Sequence, residues 1–142
     1  MTVYFDTKHA IEVHDDILQK SGGNIGILNS GLLDSVIEHI KNDEYYPNIE
    51  DKITHLYFSV NKNHAFNDGN KRSSIALSAY FMEINGYGFE VVRFLKEMEN
   101  IAVDVADNRI DKDLLHEIIC SLLFEPDFSD DLKLKIIDAK CQ

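Results

Sequence analysis

The stretch His64-Ala65-Phe66-Asn67-Asp68-Gly69-Asn70-Lys71-Arg72 lies between the two segments with the clearest helical pattern, and its reading decides how they are joined. Asn67-Asp68-Gly69-Asn70 is turn chemistry: Gly69 takes positive φ without steric cost, and Asp68 or Asn70 is suited to capping a helix that begins near Lys71. The first turn of that helix then holds Lys71 and Arg72 at the positive end of the macrodipole, where each cation is unfavourable by about 0.3–1 kcal/mol. An anion would compensate them. A helix N-terminus with free N–H groups, a glycine that permits close backbone approach and two basic side chains together make a phosphate site. His64 adds an imidazole able to take a proton from an attacking hydroxyl near neutral pH. Asp68 adds a carboxylate that can hold Mg²⁺ beside bound phosphates. Phe66 anchors the loop in the core, so that base and anion site keep their geometry.

Working outward, Ile53, Leu56, Tyr57 and Val60 fall at i, i+3, i+4 and i+7, which predicts a helix over 51–61 with one buried stripe. Residues 71–85 predict a longer helix with Ile75, Ala76, Ala79, Phe81, Met82 and Ile84 on more than one side, the pattern of a central helix. Residues 89–125 contain neither glycine nor proline and carry two periodic apolar sets, hence two further helices, with 111–113 supplying cap candidates for the second. A helix is expected over most of 3–20, after a few extended residues, and another from Leu32 onward. Gly22, Gly23, Gly26 and Gly31, with Asn24, Asn29 and Ser30 interleaved, read as a loop or short hairpin. No repeat, linker or low-complexity tract appears. The expectation is an all-α single-domain helical bundle over 1–125, its active loop leading into the N-terminus of the central helix. Residues 126–142 form an acidic, then amphipathic, C-terminal extension.

Composition narrows the function classes. The 142 residues carry a net charge of −11, with 44% hydrophobic and 27% charged side chains, which fits one ordinary globular domain. The charge repels DNA and RNA phosphates, and no basic stripe overcomes it, so nucleic acid is a poor partner. No apolar run is long enough to cross a bilayer, and the N-terminus lacks a basic segment leading into an apolar one. Cys120 and Cys141 offer neither a disulfide framework nor a Cys-x-x-Cys pair, which makes a reducing cytoplasm the default location. His9, His14, His39, His55 and His116 show no zinc-ligand spacing. Asn70 stands where a P-loop needs glycine directly before its lysine, which excludes that reading.

The nine residues HAFNDGNKR resemble the signature of the Fic/Doc family, His-x-Phe-x-Asp/Glu-Gly/Ala-Asn-Gly/Lys-Arg, which joins two helices. Gly22-Gly23-x-x-Gly26, Gly31-Leu32-Leu33-Asp34-Ser35, Tyr46-Pro47 and Asn85-Gly86-Tyr87 are similar to the death-on-curing (Doc) branch, and the likeness runs from about Ile11 to Leu123. Lys71 replaces the glycine that AMP-transferring members carry before the arginine, and Ile75 replaces their second arginine; both match Doc. The resemblance implies an all-helical bundle and a toxin of a toxin–antitoxin pair. Its activity would be transfer of the γ-phosphate of ATP, with Mg²⁺, onto a threonine of elongation factor Tu, from a nucleotide bound inverted. It implies His64 as general base, Asp68 as Mg²⁺ ligand, Asn70 as an anion-hole donor with Gly69 beside it, and Lys71 and Arg72 as phosphate clamps.

By the same resemblance, Gly22, Gly23, Asn24, Ile25, Gly26, Ile27, Leu28 and Asn29 form either a flap that holds a target peptide or a plain surface loop. Adenylyl transfer to a protein hydroxyl, and a catalytically idle binding module, are the alternative readings. Ser121 and Glu125 match half of the family's inhibitory motif, but Pro126 replaces its Gly/Asn and Ile75 removes the arginine it acts through. A separate antitoxin segment that folds on the toxin is the expected restraint.

Overall fold

The computed structural model describes residues 1–23, 26 and 29–142. Seven α-helices follow one another: α1 (Thr7–Ser21), α2 (Ser30–Ile40), α3 (Ile49–Lys62), α4 (Asn70–Ile84), α5 (Val91–Ala106), α6 (Lys112–Phe124) and α7 (Asp130–Lys140), with a short 3-10 turn at Gly88–Glu90 before α5. There is no β-strand among the described residues, as the all-α reading expects. The helices expected over 51–61 and 71–85 are α3 and α4, and the glycine-free span divides into α5 and α6.

α4 is the central helix, packed against α1, α3 and α5. Leu77, Phe81 and Met82 are fully enclosed, while Ser73, Ser74 and Ser78 are buried where larger side chains would hold the neighbouring helices apart. Buried polar groups on α3 bind it to α5: the Tyr57 hydroxyl donates to the Met98 carbonyl (3.1 Å) and the Asn61 amide to the Ala102 carbonyl (3.0 Å). Burial raises the Tyr57 pKa, so its hydroxyl keeps the proton it donates. At the C-terminus of α2, buried Lys52 donates to the Ile40 carbonyl (2.6 Å) and to Asp43 (2.8 Å), satisfying a carbonyl that the helix leaves without a partner.

Most helix starts are resolved internally. Asp6 accepts from the His9 N–H at α1, Asp111 from Leu114 at α6 and Ser129 from Leu132 at α7; the Asp51 carboxylate accepts from the Asn48 N–H ahead of α3. α7 buries Leu132, Ile136 and Ala139, and its Lys140 reaches the buried Asp104 of α5, which Arg109 also pairs at 3.1 Å. Among the described residues no helix is long and apolar enough to cross a membrane.

Candidate active site

The loop from His64 to Gly69 runs from the end of α3 to the start of α4, so the two best-packed helices set its ends. α3 closes at Asn63, and His64 follows it with φ 51°, in the left-handed region. α5 ends the same way on Asp107 and Asn108 (φ 63°). Asparagine is an ordinary residue for that position, whereas a histidine there pays about 1–2 kcal/mol that glycine or asparagine would spare. His64 is exposed, and its side chain makes no hydrogen bond or ion pair among the described residues. A strained, solvent-facing imidazole is what a site that needs the group projected outward retains.

Phe66 is wholly buried, stabilising the loop by roughly 1.5–3 kcal/mol. The Asn70 side chain clasps its backbone, accepting from the Phe66 N–H at 3.3 Å and donating to the Phe66 carbonyl at 3.1 Å. The capping expected of Asp68 or Asn70 does not occur. Neither Asp68 nor Asn70 caps α4: Gly69 is the N-cap, in the left-handed conformation (φ 76°, ψ 18°), and no side chain among the described residues bonds the first N–H groups of the helix. The reason is that both candidates are committed elsewhere, Asn70 to Phe66 and the Asp68 carboxylate to the Gly69 N–H at 2.8 Å. What Asn70 leaves available to an anion is its backbone N–H, at the first position of the helix. A Cβ at Gly69 would meet Leu18 Cδ2 at 3.0 Å as well as straining the backbone, so the position requires glycine.

Lys71 is exposed, and its side chain has no partner among the described residues. Arg72 reaches back to α1, donating to the Ser21 hydroxyl and to the Gly22 carbonyl (3.0 Å), and stands 3.8 Å from the Asp68 carboxylate. That ion pair is long and partly exposed, worth at most about 1 kcal/mol, so a ligand can displace it cheaply. Asp68, Gly69, Lys71 and Arg72 are thus gathered at one helix end with His64 on the loop that leads into it.

The glycine-rich segment is tied to this loop. Asn67 N–H donates to the Gly26 carbonyl (3.1 Å) and Asn29 N–H to the Ala65 carbonyl (3.1 Å). A Cβ at Gly26 would collide with the Asn67 amide. Asn24, Ile25, Ile27 and Leu28 of the expected flap lie outside the described residues.

Sequence patterns pass over His14 and Ser21. His14 is completely buried beneath the loop; its ring stacks on Phe66 (centroids 3.6 Å, planes 6° apart) and its Nε2 lies 2.6 Å from the Asp68 carbonyl. The available signal was a histidine inside the core stripe Ala10-His14-Leu18 of α1. Elsewhere, Cys120 lies near His116, which pairs Asp51 at 2.8 Å, a grouping that resembles a nucleophile with its base. Burial, then the carboxylates of Glu50, Asp51, Glu117 and Glu125, push the Cys120 thiol up to about 11, leaving it protonated and unreactive.

Two comparisons with known proteins bear on the family of this chain. The family model described as Fic/DOC family matches residues 4–82, a span that contains α1 to α3, the loop and most of α4. The chain is 30% identical over 117 residues to Toxin Doc of Mycolicibacterium smegmatis (strain ATCC 700084 / mc(2)155), covering 80% of this chain and 88% of that protein. With the motif loop at the start of a central helix in an all-α fold, and with a family match over more than half of its length, this chain belongs to the Fic/DOC family.

Proposed function

We propose that the chain is a Doc-like toxin that transfers the γ-phosphate of ATP to a Ser/Thr hydroxyl of a translation factor, with elongation factor Tu as the first candidate, in the cytoplasm. The single observation that supports this reading most is the start of α4: no side chain among the described residues caps it, Gly69 opens it to close approach, and Lys71 and Arg72 stand in its first turn. Both cations sit on the unfavourable side of the helix dipole, and a polyphosphate answers the N–H groups and the cations together. Because the chain as a whole carries −11, this local charge is what draws an anion in.

In the proposed reaction His64 takes the proton of the target hydroxyl as its oxygen attacks the γ-phosphorus. The bond from that phosphorus to the β,γ-bridging oxygen breaks, and ADP leaves. Lys71, Arg72 and the first N–H groups of α4 hold the phosphate oxygens and stabilise their charge as it redistributes. Asp68 is a partly exposed carboxylate beside the Arg72 guanidinium, a donor suited to an ion that takes one or two protein oxygens and its remaining ligands from phosphate and water. Mg²⁺ held there would neutralise phosphate charge. Similarity to Toxin Doc supports a cognate antitoxin as partner.

The deciding experiment incubates the chain with elongation factor Tu and ATP labelled at the α- or the γ-phosphate. Label from the γ-position only supports this reading. Label from the α-position replaces it with adenylyl transfer, and label from neither, with His64→Ala as toxic as the parent chain, leaves a binding module.

A further inference from the structure

His14 has no part in the reaction just described, yet it is completely buried and touches the motif loop at several points. An imidazole in the core stripe of α1 costs about 1–3 kcal/mol if its polar atoms go unmet, where a leucine would pack freely. Both ring nitrogens face an acceptor, Nε2 the Asp68 carbonyl at 2.6 Å and Nδ1 the Asp15 carboxylate at 3.0 Å, and both contacts are hydrogen bonds together only in the doubly protonated ring. A carbonyl oxygen only accepts, so Nε2 is the donor in that contact.

The Asp68–Gly69 peptide is a rigid plane held from both ends. His14 Nε2–H holds its carbonyl, and the Asp68 carboxylate accepts from the N–H of the same plane, on Gly69, at 2.8 Å. Rotating the plane breaks both bonds and so releases the Asp68 carboxylate from the Gly69 N–H that holds it. It also disturbs the left-handed conformation of Gly69, which starts α4 and which His14 and Leu18 support from below; a Cβ at Gly69 would stand 3.5 Å from His14 Nε2. The stack on Phe66 fixes the ring itself.

We propose that His14 is a positioning residue: its Nε2–H bond to the Asp68 carbonyl sets the plane that aims the Asp68 carboxylate and the first N–H groups of α4 at one site. The consequence for metal and triphosphate binding rests on the phosphotransfer reading above, whereas the hold on the loop does not. The test compares His14→Phe, which keeps the stack and removes the donor, with His14→Gln, whose amide N–H can replace Nε2–H.

In H14F the backbone amide resonances of Gly69 and Asn70 shift in the nucleotide-free chain, the Mg²⁺ needed for half-maximal transfer rises and kcat falls about 10–100-fold, with KM for the protein target unchanged. H14Q restores the resonances and most of the rate. Unmoved Gly69 and Asn70 resonances with wild-type Mg²⁺ dependence in folded H14F, or an H14Q no better than H14F, overturn the proposal. If H14F does not fold, His14→Met serves as the donor-free partner of H14Q. If the wild-type chain transfers neither phosphate, the functional reading fails, and the amide resonances still decide whether His14 holds the loop.

Discussion

Two of the helix starts that carry a lysine in their first turn, those of α6 and α4, treat it in opposite ways. At α6, Asp111 caps the Leu114 N–H at 2.8 Å, and Lys112 is absorbed by the fold: its Nζ lies 2.9 Å from His55 Nδ1 and over the rings of Tyr46 and Phe58 at 5.5 and 5.8 Å. At α4 the cap is Gly69, the N–H groups have no side-chain acceptor and Lys71 has no partner among the described residues. The first arrangement gives both the Leu114 N–H and the lysine partners within the protein, although burial lowers the Lys112 pKa. The second leaves dipole and cation unanswered among the described residues, and under the proposed function an anion would answer both. Identical residue types thus separate into structural and functional roles according to whether the surrounding fold has already satisfied them.

The comparison is sharpened most by His64→Ala. Transfer should fall about 10²- to 10⁴-fold, the usual contribution of a general base. The thermal midpoint should hold, because the exposed ring has no hydrogen bond to lose among the described residues and alanine keeps the Cβ that strains a left-handed position; a fully active H64A chain breaks the functional half of the contrast. Phe66→Ala should cost about 3–5 kcal/mol in urea unfolding, since a fully buried ring is removed beneath the loop. At the structural start, Asp111→Ala should cost about 0.5–2 kcal/mol, the value of a cap, and leave transfer unchanged.

Stability should also depend on pH near α6. Burial first, then Lys112 and His39, hold His55 down to about 4, below the 6.5 it has when unfolded. The unfolded chain therefore binds the extra proton between those values, and stability present above pH 6.5 is lost as pH falls toward 4. His55 is partly solvated, which limits the loss to about 1 kcal/mol after screening. Urea midpoints at pH 7 and pH 5, in wild type and His55→Asn, measure it; equal slopes in the two chains sink the assignment. The smallest effect is the most pointed: Lys71→Glu should raise stability by about 0.3–1 kcal/mol by complementing the dipole. The same substitution should weaken ATP binding in calorimetry, so a variant that loses stability as well as affinity contradicts the contrast.

Much of this was legible in the sequence. The apolar spacing in 51–61 and 71–85 found α3 and α4 because a helix that buries one stripe must repeat it every 3.6 residues. His64, Asp68, Gly69, Lys71 and Arg72 could be singled out together because they are consecutive or nearly so, and local turn chemistry brings them to one helix end. The caps were only half legible. Asp111 caps as expected, whereas Asp68 and Asn70 have the right chemistry for a cap and do not act as one, because Phe66 and the Gly69 N–H claim them first. No pattern within the motif could show that claim, since it depends on where the backbone of the loop turns.

The sequence by itself determined helices α1 to α6, the membership of the family and which loop is proposed to bear the chemistry, and the helices and the loop rest on neighbours within a few residues of one another. Tertiary structure alone decided which buried and distant groups complete that loop. His14 reaches Asp68 across 54 positions of sequence and Arg72 reaches Ser21 across 51, contacts created when α1 packs against α4. A spacing rule describes one element at a time. A hydrogen bond between two elements depends on how their faces pack, and that is fixed by the volume and shape of the whole core.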